Sequence, residues 1–524
     1  MEEPSPYSGG VEHRRDGAIP IGPRLGSWAT LRRSRWHVAA MKPTLVIPVE
    51  NQVRELDPKL LLSCIAAQRG FHSIIGPRRE LEIRVDLFPW SVFLSKSMTT
   101  ESLLVFYVTR KLDHEIVTWD EEALVHPPAE TYFSRRLSPT ALSYVSHLFA
   151  WGKDNAQLWK QCPTLRSGTP IHVTGNSRSD LLRPEMRRFY EKEVEAIRRD
   201  HGAFILVNTN FNHVNAFYPG LNLFRPVKRP GTRPQFGRAA RGMSRQYAEG
   251  LRDHKQAIFD HFRRLIPALE RAFPNYTIVV RPHPTENDEV YRKIAAQCSR
   301  VQVTKEGNVV PWLLATRALV HNGCTTGVEA YLLRVPAVSY RATVNDYYDY
   351  GFYRLPNLVS HQCFTFEELC ATLGKILAGE LGPADGDERR ALIDHHLTGL
   401  EGPMACERIV DVIEEITEQG ARIAEPTPLN RLERWLVTRG LRLARRYISR
   451  IPGAHHKPEF QRHRYPGVSL EDVRERLARF QRLLGDTKDL KSEEIFENIY
   501  LIRAQQVVER PYGLAKANAS VAGR

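Results

Sequence analysis

The stretch Thr277-Ile278-Val279-Val280-Arg281-Pro282-His283-Pro284, answered further along by Ala318-Leu319-Val320-His321-Asn322-Gly323-Cys324-Thr325-Thr326-Gly327-Val328-Glu329-Ala330, decides how the chain reads. A β-branched run that stops at a prolyl turn predicts a buried parallel strand, with Arg281 and His283 at the carboxyl edge where open α/β sheets bind ligands. The second run predicts a short strand that turns at Asn322-Gly323 and enters a helix whose first residues are Thr325 and Thr326. Free backbone N–H groups, the positive end of the helix dipole and two hydroxyls then converge on one spot, an arrangement that holds a phosphate without a metal. Glu329 falls about one turn inside that helix, within reach of a sugar hydroxyl. Each piece also has a plain structural alternative: a prolyl turn that is only a turn, and an N-capped helix whose Glu favours the dipole.

Working outward, the same alternation of strand and helix restarts near residue 200. The strand Phe204-Ile205-Leu206-Val207-Asn208 carries Asn208 and Asn210 at its tip, and an amphipathic helix over 244–273 leads to the 277–280 strand. Earlier, strands at 45–49 and 72–76 flank a helix with Val53, Leu56, Leu60 and Cys64 on one face; this is a βαβ unit, hence a parallel sheet. Further strands are predicted at 91–94, 115–118, 147–151 and 171–173. The fold class expected is α/β, with two facing Rossmann-like doubly wound domains and a helical C-terminal extension. The boundaries expected are 42–183 for the first Rossmann-like domain, 184–420 for the second and 421–524 for a basic helical extension whose last helix runs over 492–508. Residues 1–41 read as a disordered extension, and Met41 is an alternative start of translation.

At 524 residues, with 26% charged and 42% hydrophobic side chains, the chain has the composition of a soluble globular protein with more than one domain. No apolar run reaches the length of a membrane span. Seven cysteines without CxxC pairs argue for a reducing cytosol and against a zinc ribbon. The net charge of +14 is partly concentrated in 431–450, where arginines alternate with Leu432, Trp435, Leu436 and Leu443 at helical spacing. Such a helix suits an anionic bilayer surface; alternatively its apolar face packs on the protein. Nucleic acid is not an expected partner, since the strands offer no aromatic platform.

The acidic run Asp120-Glu121-Glu122 follows a predicted strand end, where a carboxylate facing a cleft can act as base or nucleophile; a solvated acidic turn is its alternative. Glu50 and Arg54 sit at the first strand's carboxyl edge, where an acceptor sugar can be contacted. No HExxH is present, and no metal or other cofactor is expected.

Two facing α/β domains with a phosphate site in the second resemble GT-B glycosyltransferases. His-Pro on one strand end followed by hydroxyls at the next helix N-terminus is similar to the CMP site of bacterial sialyl- and Kdo-transferases, with related elements in CDP-glycerol polymerases. The segments VIPVENQVRELDPKLLLSCIAAQRG (46–70), TGNSRSDLL (174–182) and ILVNTNFN (205–212) resemble surface carbohydrate biosynthesis proteins, over roughly 42–377. The resemblance implies that Arg281, His283, Asn208, Asn210, Gly323, Thr325, Thr326 and Glu329 bind the donor nucleotide. It places Glu121 and Glu122 on an acidic pair that acts at the anomeric carbon, with Ala123 standing where Gly is expected. The implied partners are a nucleotide-activated sugar, CMP- or CDP-type favoured, and a polysaccharide or lipid-linked acceptor, handled in the cytoplasm at the inner face of the plasma membrane. Transfer of a polyol phosphate, or a non-catalytic glycan assembly role, are the alternatives.

Overall fold

The computed structural model describes residues 44–227, 231, 233–349, 354–419, 432–433, 435–440, 443, 447, 458–486 and 488–505; the expectations for 1–41 lie outside them. The first sheet is built from β1 (Thr44–Val49), β2 (His72–Pro77), β3 (Ser91–Ser95), β4 (Glu115–Thr118), β5 (His147–Ala150) and β6 (Ile171–Val173). The second uses β7 (Phe204–Thr209), β8 (Thr277–Pro282), β9 (Val301–Val303), β10 (Ala318–His321), β11 (Ala337–Tyr340) and β12 (His361–Cys363). Two strands from the chain's far end, β13 (Leu490–Phe496) and β14 (Ile499–Ala504), complete the first sheet.

Strand order fixes where ligands belong. The second sheet runs β12-β11-β10-β7-β8-β9, every pair parallel. Its order reverses between β7 and β10, which opens a crevice at their carboxyl ends. The first sheet runs β13-β14-β2-β1-β3-β4-β5-β6 and reverses between β1 and β3. The doubly wound fold class expected from the sequence is therefore present in both halves.

Period-two alternation explains the burial. Phe204 and Leu206 on β7 face an apolar cluster that includes Ile197, Trp312 and Leu319, whereas Ile205 and Val207 face Ile258, Phe262, Ile266 and Leu373. A strand covered on both faces needs an unbroken apolar run, and FILV supplies one. The first cluster continues through Phe189 and Tyr190 to Leu45, Ile47 and the helix Gln52–Gln68, so one apolar core joins the halves. The link between the halves is a 3-10 turn, Pro184–Tyr190, followed by the helix Glu191–His201.

The chain crosses back before residue 420. The helix Ala405–Gln419 packs on the helix Gln52–Gln68, and its first N–H groups, from Ala405 and Cys406, donate to the two carboxylate oxygens of Asp180 at 2.8 Å each. A buried carboxylate at a helix N-terminus meets both the orphan donors and the dipole. Asp180 belongs to the quoted TGNSRSDLL segment, whose acid is thus spent on architecture.

The expected last helix at 492–508 is instead the β13–β14 hairpin, with β14 antiparallel to β2 through Tyr500↔Ile75. Ile495, Phe496, Ile499, Tyr500 and Ile502 favour a pleated surface, and Asn498 at φ 59° turns the chain where a helix would need negative φ. Gly76 on β2 leaves room for it: a Cβ there would stand 2.8 Å from the Asn498 carbonyl oxygen. In the basic segment, described residues from 432 to 447 are helical, and Leu432 (54%), Trp435 (51%), Leu436 (55%), Leu443 (61%) and Tyr447 (73%) are exposed. On the same helix Thr438 is buried and Val437 packs against the cluster of Val46, Ile74 and Phe93.

Candidate functional site

At the crevice of the second sheet, β7, β8 and β10 end in register: Asn208 lies opposite Arg281 on one side and His321 on the other. A buried carboxylate, Glu286, ties these ends together. It accepts from Thr209 Oγ1 (3.0 Å), the Phe211 N–H (2.9 Å), the His283 N–H (3.2 Å) and Tyr291 Oη (2.7 Å). Burial raises its pKa, and the four donors work against that rise.

His283 is held in one tautomer. The Thr285 N–H donates to its Nδ1 (3.3 Å), and the Thr285 hydroxyl, 2.8 Å from the same nitrogen, accepts from Asn212 Nδ2 (3.4 Å). An accepting Nδ1 leaves the proton on Nε2. Burial, followed by the charge of Arg54, pushes the imidazole pKa down to about 4, with Lys305 and Arg464 adding to the effect and Glu122 opposing it. His283 is therefore a neutral N–H donor among cations from both halves.

Arg281 is placed differently from the expectation. Its guanidinium donates to the carbonyls of Glu306 (2.7 Å) and Gly307 (2.6 Å) and lies over the Trp312 ring at 5.2 Å, so it secures the loop after β9. Asn210 and Asn322 bridge the switch point, the Asn210 N–H donating to Asn322 Oδ1 at 3.0 Å. Asn208 Oδ1 is buried without a hydrogen-bond partner among the described residues. Gly323, at φ 79°, makes the turn into the helix Thr326–Leu333, with Thr325 as its N-cap. The turn rests on His321, fully buried, whose Nδ1 accepts from the Gly323 N–H at 3.0 Å. Gly327 permits the close approach, since a Cβ there would sit 2.7 Å from His321 Nε2. Glu329 accepts from Arg178 at 2.7 Å, across from the 174–180 loop of the first half; its other oxygen has no hydrogen-bond partner among the described residues.

Across the cleft, an ion network occupies the β1–β3 crevice. Glu50 meets Lys96 and Arg464, and Glu55 meets Lys59 (2.8 Å) and Lys96 (3.0 Å). Burial works to raise the Glu50 carboxyl; the charges of Arg464, Lys96 and Arg78 outweigh it and hold it well below its ordinary range. Arg54 donates to Glu122 at 2.9 Å. The charge of Arg54, against burial, keeps the Glu122 carboxyl far below the usual range, although its side chain is 48% exposed.

The expected acidic pair is corrected. Asp120 is fully buried and accepts from Arg136, Tyr132 Oη (2.8 Å) and the Glu122 N–H (3.1 Å). Glu121 accepts from Trp119 Nε1 (2.9 Å) and lies 3.3 Å from Lys59 in the interior of the first half. Both carboxylates brace the strand end; Glu122 alone of the three reaches the cleft. His283, Glu122 and Arg54 are brought together; Glu329 meets the first half through Arg178, and Thr326 Oγ1 is buried without a hydrogen-bond partner among the described residues. Sequence reasoning missed Lys96, Glu286, His321 and Arg464, and missed Arg178 although it lies inside a quoted segment. Asp385-Gly386-Asp387 is an Asp-x-Asp spacing that the metal-free expectation overlooks; it sits in a surface turn where Arg334 and Arg390 take the two carboxylates at 2.8 and 2.9 Å.

No family model matches the chain, and no curated protein matches it. Among solved structures it is similar to the UDP-GlcNAc 2-epimerase of Methanocaldococcus jannaschii in complex with UDP-GlcNAc and UDP, at 12% identity over 71% of this chain and 99% of that one, with a TM-score of 0.43. It is similar to the wall teichoic acid polymerase TagF at 11% identity over 76% and 95%, with a TM-score of 0.45. A UDP-GlcNAc 2-epimerase from Neisseria meningitidis gives 12% identity over 72% and 100%, with a TM-score of 0.40.

Burial lowers the imidazoles of His283 and His114 to about 4 and those of His213 and His321 to about 3. Unfolded, these rings take up a proton near pH 6.5, so the unfolded state binds more protons and stability falls with pH below that point. His126, raised by Asp154 and the Pro127 carbonyl against burial, and Asp180, raised to about 6 by burial, work in the opposite direction and are outnumbered. The expected result is a urea midpoint that declines from about pH 6.5 towards 5, less steeply in His321→Asn. A midpoint constant down to pH 5 would show that these rings are not held neutral.

Proposed function

We propose that the protein is a transferase that takes a nucleotide-activated donor, CMP- or CDP-type favoured, and passes its sugar to a surface polysaccharide or lipid-linked acceptor without a metal. The observation that carries this reading is His283: a neutral imidazole of fixed tautomer presents Nε2–H to a cleft that Arg54, Lys305 and Arg464 make positive. A preorganised donor among cations stabilises a departing phosphate with no reorganisation at the moment of reaction. Thr325, Thr326 and the helix end behind them supply further donors, while Asn208 and Glu329 offer acceptors to ribose or sugar hydroxyls.

In this reading Glu122 remains ionised and faces the donor from the opposite wall. It is too acidic for a strong general base, so its role is to stabilise positive charge at the anomeric carbon and, with Arg54, to orient the acceptor. The withdrawal of Asp120 and Glu121 into the interior favours a second reading, attack at phosphorus on a CDP-polyol donor, which needs no carboxylate at carbon. The exposed face of Leu432, Trp435, Leu436, Leu443 and Tyr447, in a segment rich in arginine, supports seating the enzyme on an anionic bilayer at the cytoplasmic face.

CMP or CDP is expected to raise the melting temperature, and His283→Ala to weaken their binding by at least tenfold, the scale of about 1.5–3 kcal/mol for a hydrogen bond to a charged group. If no nucleotide stabilises the protein, the transferase reading falls and a non-catalytic assembly role takes its place. Glu122→Gln separates the two chemistries: transfer at carbon predicts a loss of about 10²–10³ in kcat, whereas transfer at phosphorus leaves kcat within about tenfold. Cosedimentation with phosphatidylglycerol vesicles at about 0.1 M salt, lost in Trp435→Glu/Leu436→Glu and absent with phosphatidylcholine, is the expected membrane result. A wild-type protein that stays in the supernatant with both lipids contradicts that part.

A further inference from the structure

The segment 458–467, far from both sheets in sequence, lies across the mouth of the cleft and grips each wall. On the second half, Phe460 is buried against Tyr218 (ring centroids 5.4 Å apart), and His463 stacks on Phe217 at 4.3 Å with the rings 16° from parallel. His463 Nε2 donates to the carbonyl of Pro284 at 2.8 Å, next to His283; a carbonyl only accepts, so the proton is on Nε2. On the first half, Arg464 reaches Glu50 at 2.5 Å, and Gly467 closes a two-bond pair with the Gln52 side chain, donating N–H to Oε1 (3.0 Å) and accepting from Nε2 (2.8 Å). Glu50 is met by Lys96, Arg78 and Arg464, of which Lys96 is shared with Glu55 and Arg78 with Glu82, while Arg464 Nε is buried without a hydrogen-bond partner among the described residues, so this guanidinium keeps a donor to spare.

We propose that residues 458–467 form the third wall of the donor site, His463 being a positioning residue that holds the Pro282–Pro284 turn under His283 and Arg464 a cation supplied to the donor phosphate. The proposal deepens the reading that this cleft binds a nucleotide and rests on it for the role of Arg464. The turn is otherwise fixed from beneath, by Glu286 and by the bond from the His283 N–H to the Thr209 carbonyl (3.1 Å). The strap fixes it from above. Because one short segment touches both walls, it also sets their separation, and with it the distance between His283 and the Arg54–Glu122 pair.

The test uses the full chain and two readouts, calorimetric affinity for CMP and CDP, and hydrogen exchange at the amides of His283 and Glu286 without ligand. His463→Ala is expected to speed exchange at those two amides at least tenfold while the β8 interior amides stay unchanged, and to weaken CDP at least fivefold. His463→Gln, whose amide N–H can reach the Pro284 carbonyl, is expected to restore both within about twofold. Arg464→Met is expected to weaken CDP more than CMP, and His463→Ala to cost little more once His283 is Ala. The positioning role is overturned by unchanged exchange in His463→Ala, by a Gln variant as impaired as the Ala variant, or by losses that simply add. Equal losses of CMP and CDP in Arg464→Met overturn the cation role. Should the wild type bind neither nucleotide, the transferase reading and the role of Arg464 fail together, while the exchange data still decide the role of His463.

Discussion

The candidate site hangs on one buried carboxylate. Glu286 gathers Thr209 and Phe211 from the end of β7, the His283 amide from the end of β8 and the Tyr291 hydroxyl from the following helix. Two parallel strands share no turn, so their tips are free to splay unless something polar and central joins them. An isolated carboxylate in such a place would be expensive; four donors make it tolerable, and the same four are what bring the tips into order. The imidazole above is aimed because the carboxylate below is saturated.

The facing wall follows a different principle. There, acids and bases are interleaved: Glu50, Glu55, Glu121 and Glu122 with Arg54, Lys59, Lys96 and Arg464. Buried charges persist when each has a partner, and removing one strands another. This makes the wall rigid in charge as well as in shape. Glu55, Glu121, Lys59 and Lys96 are enclosed by this pairing, whereas Glu122, Arg54, Glu50 and Arg464 keep part of their side chains exposed at the rim.

The sequence made the strands legible and the side-chain assignments much less so. FILVN, TIVV and ALVH fall where expected because a strand buried on both faces has to be continuously apolar, a local property. Asp120-Glu121-Glu122 could not be sorted from sequence, because which carboxylate turns inward depends on Arg136, Tyr132 and Lys59 arriving from elsewhere. Arg281 was misread for the same reason, its partners being carbonyls on a later loop. Arg178 meets Glu329 and Arg464 meets Glu50 across sequence separations that no local pattern encodes. The 492–508 segment reads as a helix in isolation because its strand character emerges only beside β2.

That hairpin has a consequence for how the molecule is born. While the ribosome is still making the second half, β2 stands at the rim of the first sheet with its outer N–H and C=O groups bare, awaiting β14. Bare rims recruit whatever extended peptide is nearby, including neighbouring nascent chains. Closure over so long a span of polypeptide is slow. The hours after induction in a foreign host, when many unfinished copies crowd together, are thus the interval in which this protein is most exposed to misassembly, and a chaperone that shields β2 is the remedy the architecture calls for.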